Sequence, residues 1–160
     1  MADLASIYFE PEPGVYVPPV GAMRVLLIDD EPDTLRTLLA ILRLQGMDAR
    51  GVTKGEHAMA AFRDLNPDAV IVDITLSGTN GWQVARDIRA EPVGQRPLLI
   101  GVSGQYKQSS DKILSQLAGF DHYLIKPCDP SVVLVLLEKA QSARRAQPGQ
   151  VVQFPGGAKR

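Results

Sequence analysis

Five polar residues in this sequence stand at the ends of short apolar runs, and their types could do chemistry together. They are three carboxylates, one hydroxyl and one ammonium: Asp29, Asp30, Asp73, Ser103 and Lys126. Oxygen-only ligands suit Mg²⁺, which takes octahedral geometry and keeps several waters. No histidine or thiolate stands among them, which disfavours zinc. We therefore expect the three carboxylates to form a Mg²⁺ site.

The same set of residues suits a reaction at phosphorus. An aspartate can act as a nucleophile that forms an acyl phosphate, and we expect Asp73 to have that role. The Ser103 hydroxyl would donate a hydrogen bond to a phosphoryl oxygen, and Lys126 would balance the phosphoryl charge. Because like charges repel, crowding the three carboxylates should raise the pKa of at least one of them unless a cation lies between them.

The apolar runs before these residues predict strands that alternate with helices. We expect strands at residues 24–28, 47–52, 68–72, 97–102 and 122–125. Short apolar runs of this kind are typical of strands that are buried on both faces of a sheet. One helix should begin at Pro32 and stop at Gly46, and others should span residues 54–65, 82–90, 109–118 and the segment from Pro130 onward.

Five strand–helix alternations with short connections predict an α/β fold with right-handed crossovers and a parallel sheet. Five units are too few for an eightfold barrel. We therefore expect a doubly wound five-stranded parallel sheet, (βα)5, in the flavodoxin-like order 2-1-3-4-5. In such a sheet, ligands bind outside the carboxyl ends of the strands, so the five polar residues should gather at one edge.

The chain divides into three segments by composition. Residues 1–22 form a proline-rich N-terminal arm, residues 23–141 the α/β domain, and residues 142–160 a flexible C-terminal tail. Prolines exclude a regular helix or a central strand from the arm: Pro11, Pro13, Pro18 and Pro19. The arm also holds apolar and aromatic residues such as Tyr8 and Phe9. It is either a floppy tail or an arm that packs on a neighbouring surface.

Composition excludes several classes of protein. The net charge of −1 gives no general attraction to nucleic acid or to anionic membranes. A single cysteine, Cys128, can form neither an internal disulfide nor a cysteine metal cluster, which fits a reducing compartment. The N-terminus lacks the charge pattern of a signal peptide, and no apolar stretch approaches the roughly 18 residues of a spanning helix. We expect a cytoplasmic protein that binds no nucleic acid and no membrane.

Four motifs resemble, in order and spacing, the receiver domains of two-component response regulators, of the chemotaxis-regulator type. The resemblance covers about residues 24–140, and the motifs are Leu-Leu-Ile-Asp29-Asp30-Glu, Val-Ile-Val-Asp73, Gly-Val-Ser103-Gly and Tyr-Leu-Ile-Lys126-Pro127. The local sequence of residues 118–130 is most similar to receivers attached to hybrid histidine kinases. Many members of the family have proline where this chain has Ser77, which implies a less constrained loop here.

The resemblance implies specific roles for these and other residues. A sensor histidine kinase or phosphotransfer protein would donate a phosphoryl group to Asp73 in a Mg²⁺-dependent reaction. The backbone carbonyl of Thr75 would be a further metal ligand, and Ser103 and Tyr123 would act as the switch that changes the surface of the fourth helix, fifth strand and fifth helix. Thr75 and Gln105 stand at the positions that tune hydrolysis of the phosphoryl group.

Several functions follow from this resemblance. We expect a stand-alone receiver that signals to an unknown protein target through phosphorylation-dependent contacts, because no recognition helix or second domain follows it. It would catalyse only its own phosphorylation and dephosphorylation, and its apolar last helix could support a homodimer. A phosphate sink or a phosphorelay intermediate is an alternative. A second possibility is a Mg²⁺-dependent phosphatase, but the Asp-x-Asp motif that such enzymes carry after the first strand is missing. A third is a binding module that does not depend on phosphate, but such a module would not need all five site residues.

Each residue also has a simpler explanation. Asp29, Asp30 and Glu31 could only cap a helix, whose N-terminus favours negative charge. Ser103 could be an ordinary hydroxyl at a strand end, Lys126 a solvated surface lysine, and Tyr123 a half-buried strand aromatic. The functional hypothesis therefore depends on whether these residues meet in space.

Overall fold

The computed structural model describes residues 8–9, 16–104 and 109–146, and places six strands in one sheet. The strands are β1 (Tyr8–Phe9), β2 (Arg24–Ile28), β3 (Asp48–Val52), β4 (Ala69–Asp73), β5 (Leu98–Ser103) and β6 (His122–Ile125). The helices are α1 (Pro32–Leu44), α2 (Ala58–Leu65), α3 (Gly81–Ala90), α4 (Ser109–Ala118) and α5 (Pro130–Ala146), and a short 3₁₀ helix (Gly55–His57) precedes α2. Within these ranges, no helix combines the length and the apolar character that spanning a lipid bilayer requires.

The strand order across the sheet is β1-β3-β2-β4-β5-β6. Strands β2 to β6 pair in parallel, so the predicted five-stranded parallel sheet in the order 2-1-3-4-5 is confirmed. The sixth strand, β1, pairs antiparallel with the edge strand β3 and places Tyr8 opposite Val52 and Phe9 opposite Gly51. The backbone of two residues of the proline-rich arm therefore pairs with the sheet, which favours the second of the two alternatives that the sequence left open, an arm that lies on a neighbouring surface.

The helices cover both faces of the sheet, and alternate residues of each strand enter different cores. Val25 and Leu27 of β2 pack with α1 and α5, in a cluster that contains Leu35, Leu39 and Leu42 of α1 and Val133 and Leu137 of α5.

Leu26 and Ile28 of β2 point to the opposite face of the sheet, where they join Phe62 of α2 and Val84 and Ile88 of α3. Burial on both faces explains why the sequences of β2, β4 and β5 are mostly apolar without alternation.

Two helices differ from their predicted bounds. The helix expected over residues 54–65 begins with a 3₁₀ turn, because Lys54 makes no side-chain cap and its carbonyl instead accepts the backbone N–H of His57 at 3.1 Å. The last helix continues to Ala146, past residue 141, where we placed the end of the domain. Arg144 explains this extension, since its guanidinium donates to the Asp68 carboxylate at 2.7 Å and thereby ties the last turn to the sheet.

Candidate functional site

The carboxyl ends of the central strands bring the predicted residues to one edge of the sheet. Asp29 and Asp30 follow β2, Asp73 is the last residue of β4, and Lys126 follows β6. The Lys126 ammonium donates to Oδ2 of Asp29 at 3.2 Å and to Oδ2 of Asp73 at 3.1 Å. One lysine from the last strand therefore bridges carboxylates from two other strands.

The three carboxylates form one cluster. One oxygen each from Asp29, Asp30 and Asp73 can be chosen so that all lie within 4.8 Å of one another. Two oxygens bound to the same Mg²⁺ are at most about 4 Å apart, twice the metal–ligand bond length. Small side-chain movements would therefore bring all three onto one ion. The donor set fits this cation, since it consists of hard oxygens with part of the cluster open to water.

Asp73 is buried and held on both of its oxygens. Its Oδ1 accepts hydrogen bonds from the backbone N–H and from the hydroxyl of Thr75, both at 2.9 Å. Its Oδ2 faces Lys126, as described above. Thr75 thus contacts the carboxylate through its N–H and side chain, whereas the proposed roles of its carbonyl as a metal ligand and of its side chain in hydrolysis stay predictions.

Asp30 has a partner that the sequence analysis missed. Its Oδ2 accepts the Ser77 hydroxyl at 2.7 Å and the Ser77 backbone N–H at 3.1 Å. We expected the loop at Ser77 to be less constrained, but these two hydrogen bonds tie it to the metal-ligand candidate. The sequence did offer a signal for this contact. Serine carries two hydrogen-bond donors, its hydroxyl and its backbone N–H, and it stands at a position where many relatives have proline, which carries neither.

The two switch candidates lie near this edge in different surroundings. Ser103 is fully buried at the end of β5, and its carbonyl accepts the Lys126 backbone N–H at 2.9 Å. Tyr123 is half-buried in β6 opposite Gly101, and its side chain packs against the core formed with α2 and α3. The switch roles of both residues stay predictions, and Gln105 lies outside the described residues.

Burial and charge shift the ionisation of the bridge. Burial raises the pKa of Asp29 above its ordinary value, and although the Glu31 N–H and Lys126 oppose this, the charge of Asp73 adds to the increase. One carboxyl pKa therefore rises as expected, although burial contributes more than repulsion does. Burial alone would lower the pKa of Lys126, but the charges of Asp29 and Asp73 outweigh it and raise that pKa. The lysine therefore stays charged at neutral pH.

A mostly apolar cleft opens beside the acceptor carboxylate. It has a volume of about 670 Å³ and lies between α1 and α5. Asp29, Asp73 and Lys126 line the end of the cleft at the sheet edge, while Leu38 and Ile41 of α1 are among the residues that line its apolar part. A molecule bound in this cleft would be in contact with both the acceptor and an apolar surface.

Comparison with known protein families identifies the domain that carries this site. A family model described as the response regulator receiver domain matches residues 25–138 of this chain. The chain belongs to this family. The resemblance inferred from the four motifs is therefore confirmed, and the cluster of carboxylates with a bridging lysine lies in a receiver domain.

Curated relatives and solved structures agree with this assignment. The DNA-binding response regulator MtrA of Mycolicibacterium smegmatis is 29% identical over 131 residues, which cover 82% of this chain and 56% of that protein. The transcriptional regulatory protein TcrA of Mycobacterium tuberculosis is 32% identical over 127 residues, which cover 79% of this chain and 49% of that protein. This receiver thus spans about half the length of these curated relatives.

Two solved structures show the same fold. A CheY-like receiver domain protein from Methanospirillum hungatei has a TM-score of 0.69 and 22% identity, covering 78% of this chain and 98% of that one. The BeF3-activated N-terminal receiver domain of Klebsiella pneumoniae RstA has a TM-score of 0.66 and 25% identity, covering 74% and 97%. These relatives are response regulators, so the local similarity to receivers of hybrid kinases stays a prediction.

Proposed function

We propose that this receiver accepts a phosphoryl group on Asp73 from a sensor histidine kinase or a phosphotransfer protein, in a Mg²⁺-dependent reaction. One observation carries the proposal: the Asp73 carboxylate lies between the Lys126 ammonium, at 3.1 Å, and two further carboxylates that can hold a cation. If the Asp73 carboxylate only stabilised the fold, the Lys126 ammonium would be enough to balance its charge. A structural role would therefore leave the two neighbouring carboxylates unexplained.

Each site residue would have a separate role in the transfer of the phosphoryl group. An oxygen of Asp73 attacks the phosphorus atom, a new O–P bond forms, and the P–N bond to the donor imidazole breaks. Asp29, Asp30 and Asp73, with the Thr75 carbonyl, would hold a Mg²⁺ ion that neutralises the phosphoryl oxygens. Lys126 balances the remaining charge, and the buried Ser103 hydroxyl donates to a phosphoryl oxygen once that oxygen is in place.

The cleft between α1 and α5 offers a docking surface for the phosphodonor protein. It is the described cavity that combines an apolar lining with access to Asp73 and Lys126. A partner helix that packs against α1 there would bring its histidine to the acceptor from the open side. We therefore place the kinase or phosphotransfer protein on this face.

A second surface, formed by α4, β6 and α5, carries apolar residues suited to an output contact. The following residues of α4, β6 and α5 are each more than two-fifths exposed: Ile113, Leu114, Leu117, Ile125, Val132 and Val135. Exposed apolar groups in one region mark an interaction surface. We propose that phosphorylation acts through Ser103 and Tyr123 to change this surface, where a downstream protein or a second copy of the chain binds. A phosphate sink or relay intermediate would use the same acceptor and differ in the partner that receives the phosphoryl group.

Phosphorylation by a small donor tests this proposal without a cognate kinase. The protein is incubated with phosphoramidate and Mg²⁺, and its intact mass is measured over time. We expect the mass of one phosphoryl group to be added with Mg²⁺ and none with excess chelator. Continuous hydrolysis of an external phosphate ester would instead support the phosphatase alternative, and a mass that stays unchanged with Mg²⁺ would contradict the proposal.

A further inference from the structure

Ser77 donates two hydrogen bonds to the carboxylate of Asp30. Its hydroxyl donates to Oδ2 at 2.7 Å and its own backbone N–H donates to the same oxygen at 3.1 Å. Both donors thus use Oδ2, and both distances are ordinary for hydrogen bonds of their kind. An oxygen of this carboxylate lies within 4.8 Å of one oxygen of Asp29 and one of Asp73, so the group that Ser77 contacts belongs to the carboxylate cluster.

The loop that carries Ser77 is fixed at both ends. Asp73 ends β4 before it, and Gly81 begins α3 after it. A Cβ atom at Gly81 would lie 2.6 Å from the carbonyl oxygen of Asp73, so the chain returns close to the acceptor. Between these points, Thr79 packs so tightly on Gly55 that a Cβ atom there would lie 2.6 Å from the Thr79 Cβ atom. The position of Ser77 therefore follows from packing on two neighbouring segments.

We propose that Ser77 is a positioning residue for metal binding: by holding Oδ2, it fixes the orientation in which the Asp30 carboxylate is presented to the ion. This inference rests on the proposed Mg²⁺ site. Residues that hydrogen-bond to a metal ligand orient it and set its affinity for the metal. Since the pair joins the end of β2 to the loop after β4, it also couples the geometry of that loop to the occupancy of the site.

Substitutions at Ser77 separate its two donors. Ser77→Thr keeps the hydroxyl and the N–H, Ser77→Ala keeps only the N–H, and Ser77→Pro keeps neither. Mg²⁺ binding is measured by isothermal titration calorimetry on the whole chain, with Trp82 fluorescence as a second readout. We expect Ser77→Thr to bind like the wild type, Ser77→Ala to bind Mg²⁺ about tenfold more weakly, and Ser77→Pro to bind at least as weakly as Ser77→Ala.

Controls distinguish the possible failures. Ser142→Ala removes an exposed hydroxyl of α5 and should leave Mg²⁺ affinity unchanged, and thermal unfolding in chelator shows whether each variant is folded. Ser77 is exposed, so Ser77→Ala should unfold at nearly the wild-type temperature. If wild-type protein binds no Mg²⁺, the proposed function fails. If the wild type binds Mg²⁺ and both Ser77→Ala and Ser77→Pro bind it equally well, the role of Ser77 is overturned.

Discussion

The carboxylates of Asp29, Asp30 and Asp73 form one cluster at the edge of the sheet. Lys126 contacts two of them, and Ser77 supplies neutral donors to the third. The cluster therefore keeps an excess of negative charge in a partly buried place, where unpaired charges are costly. Functional sites commonly hold such unfavourable arrangements, and removing them tends to stabilise the fold while abolishing activity.

Asp29 offers the most direct test of this charge excess. Burial raises the pKa of Asp29, which means that its ionised form opposes folding in the absence of metal. We expect Asp29→Asn to increase the free energy of unfolding by roughly 1 kcal/mol at neutral pH in chelator, the scale of a favourable charge substitution. Urea denaturation of both proteins, followed by circular dichroism, measures the difference.

The increase in the free energy of unfolding caused by Asp29→Asn should depend on pH in one direction. A carboxyl group with a higher pKa in the folded chain binds its proton more tightly there, so wild-type stability declines as the pH rises through that range. The advantage of Asp29→Asn should therefore be absent below pH 3.8, the ordinary value for aspartate, and should grow as the pH rises above it. An advantage that is the same at every pH would show that the charge of Asp29 is not its cause.

At the scale of elements, the arm changes the edge of the sheet. Strand β3 would otherwise present an unpaired edge, and such edges are templates for pairing with other chains. The backbone of Tyr8 and Phe9 covers the end of β3 near the site, while the Tyr16 hydroxyl donates to the Met47 carbonyl at 2.9 Å beside the other end. The arm is thus connected to β3 at two distant points.

Removal of the arm should expose this edge. We expect a variant that lacks residues 1–15 to associate with itself more strongly than the full chain, because β3 becomes free to pair with a second copy. A variant that lacks only residues 1–7 keeps β1 and serves as the control. Sedimentation velocity over a range of concentrations measures the association, and equal behaviour of all three proteins would contradict a role of the arm in covering the edge.

The sequence predicted the strands and helices that are determined by their own residues. It did not predict the elements that form only through contacts with residues distant in the chain. Runs such as Val70, Ile71 and Val72 are apolar without interruption, so burial on both faces could be predicted. The antiparallel strand at Tyr8–Phe9 has no such signal, because it forms only where β3 offers an edge. The extension of α5 depends likewise on Arg144, whose partner Asp68 is distant in sequence.

The candidate site follows the same division. Asp29, Asp73 and Lys126 could be placed together because each stands where a buried parallel strand ends, and parallel strands end at one edge. The contact of Ser77 with Asp30 was missed, because the two donors of a serine do not reveal their partner when the path of the loop is fixed only by packing. Residue types at strand ends are thus more informative than residue types in loops.

At the scale of the whole molecule, donor and target are expected on different faces. The cleft between α1 and α5 lies beside the acceptor, whereas α4 and the edge strand β6 carry other apolar residues that are exposed. A receiver with this arrangement could be phosphorylated on one face and read on another. The proposed docking of the phosphodonor protein on the cleft can be tested by comparing the rates of phosphorylation by a protein donor and by a small-molecule donor.

Ile41 and Leu44 of α1 provide a matched pair for this test. Ile41 lines the cleft, whereas Leu44 is 85% exposed and is not among the residues that line it. We expect Ile41→Glu to slow phosphotransfer from a protein donor at least tenfold, the effect of losing about 1.4 kcal/mol at an interface, with no change in labelling by phosphoramidate. Leu44→Glu should change neither rate, and equal slowing with both donors would place the defect in the acceptor site.

Location of the phosphoryl group tests the central claim most directly. The protein is labelled with phosphoramidate and Mg²⁺, the acyl phosphate is trapped with hydroxylamine, and peptide mass spectrometry identifies the modified residue. We predict modification at Asp73, its loss in Asp73→Asn, and its retention in Asp33→Asn, which alters an aspartate with a side chain 89% exposed on α1. Labelling that persists in Asp73→Asn, or a trapped group on another residue, would contradict the account.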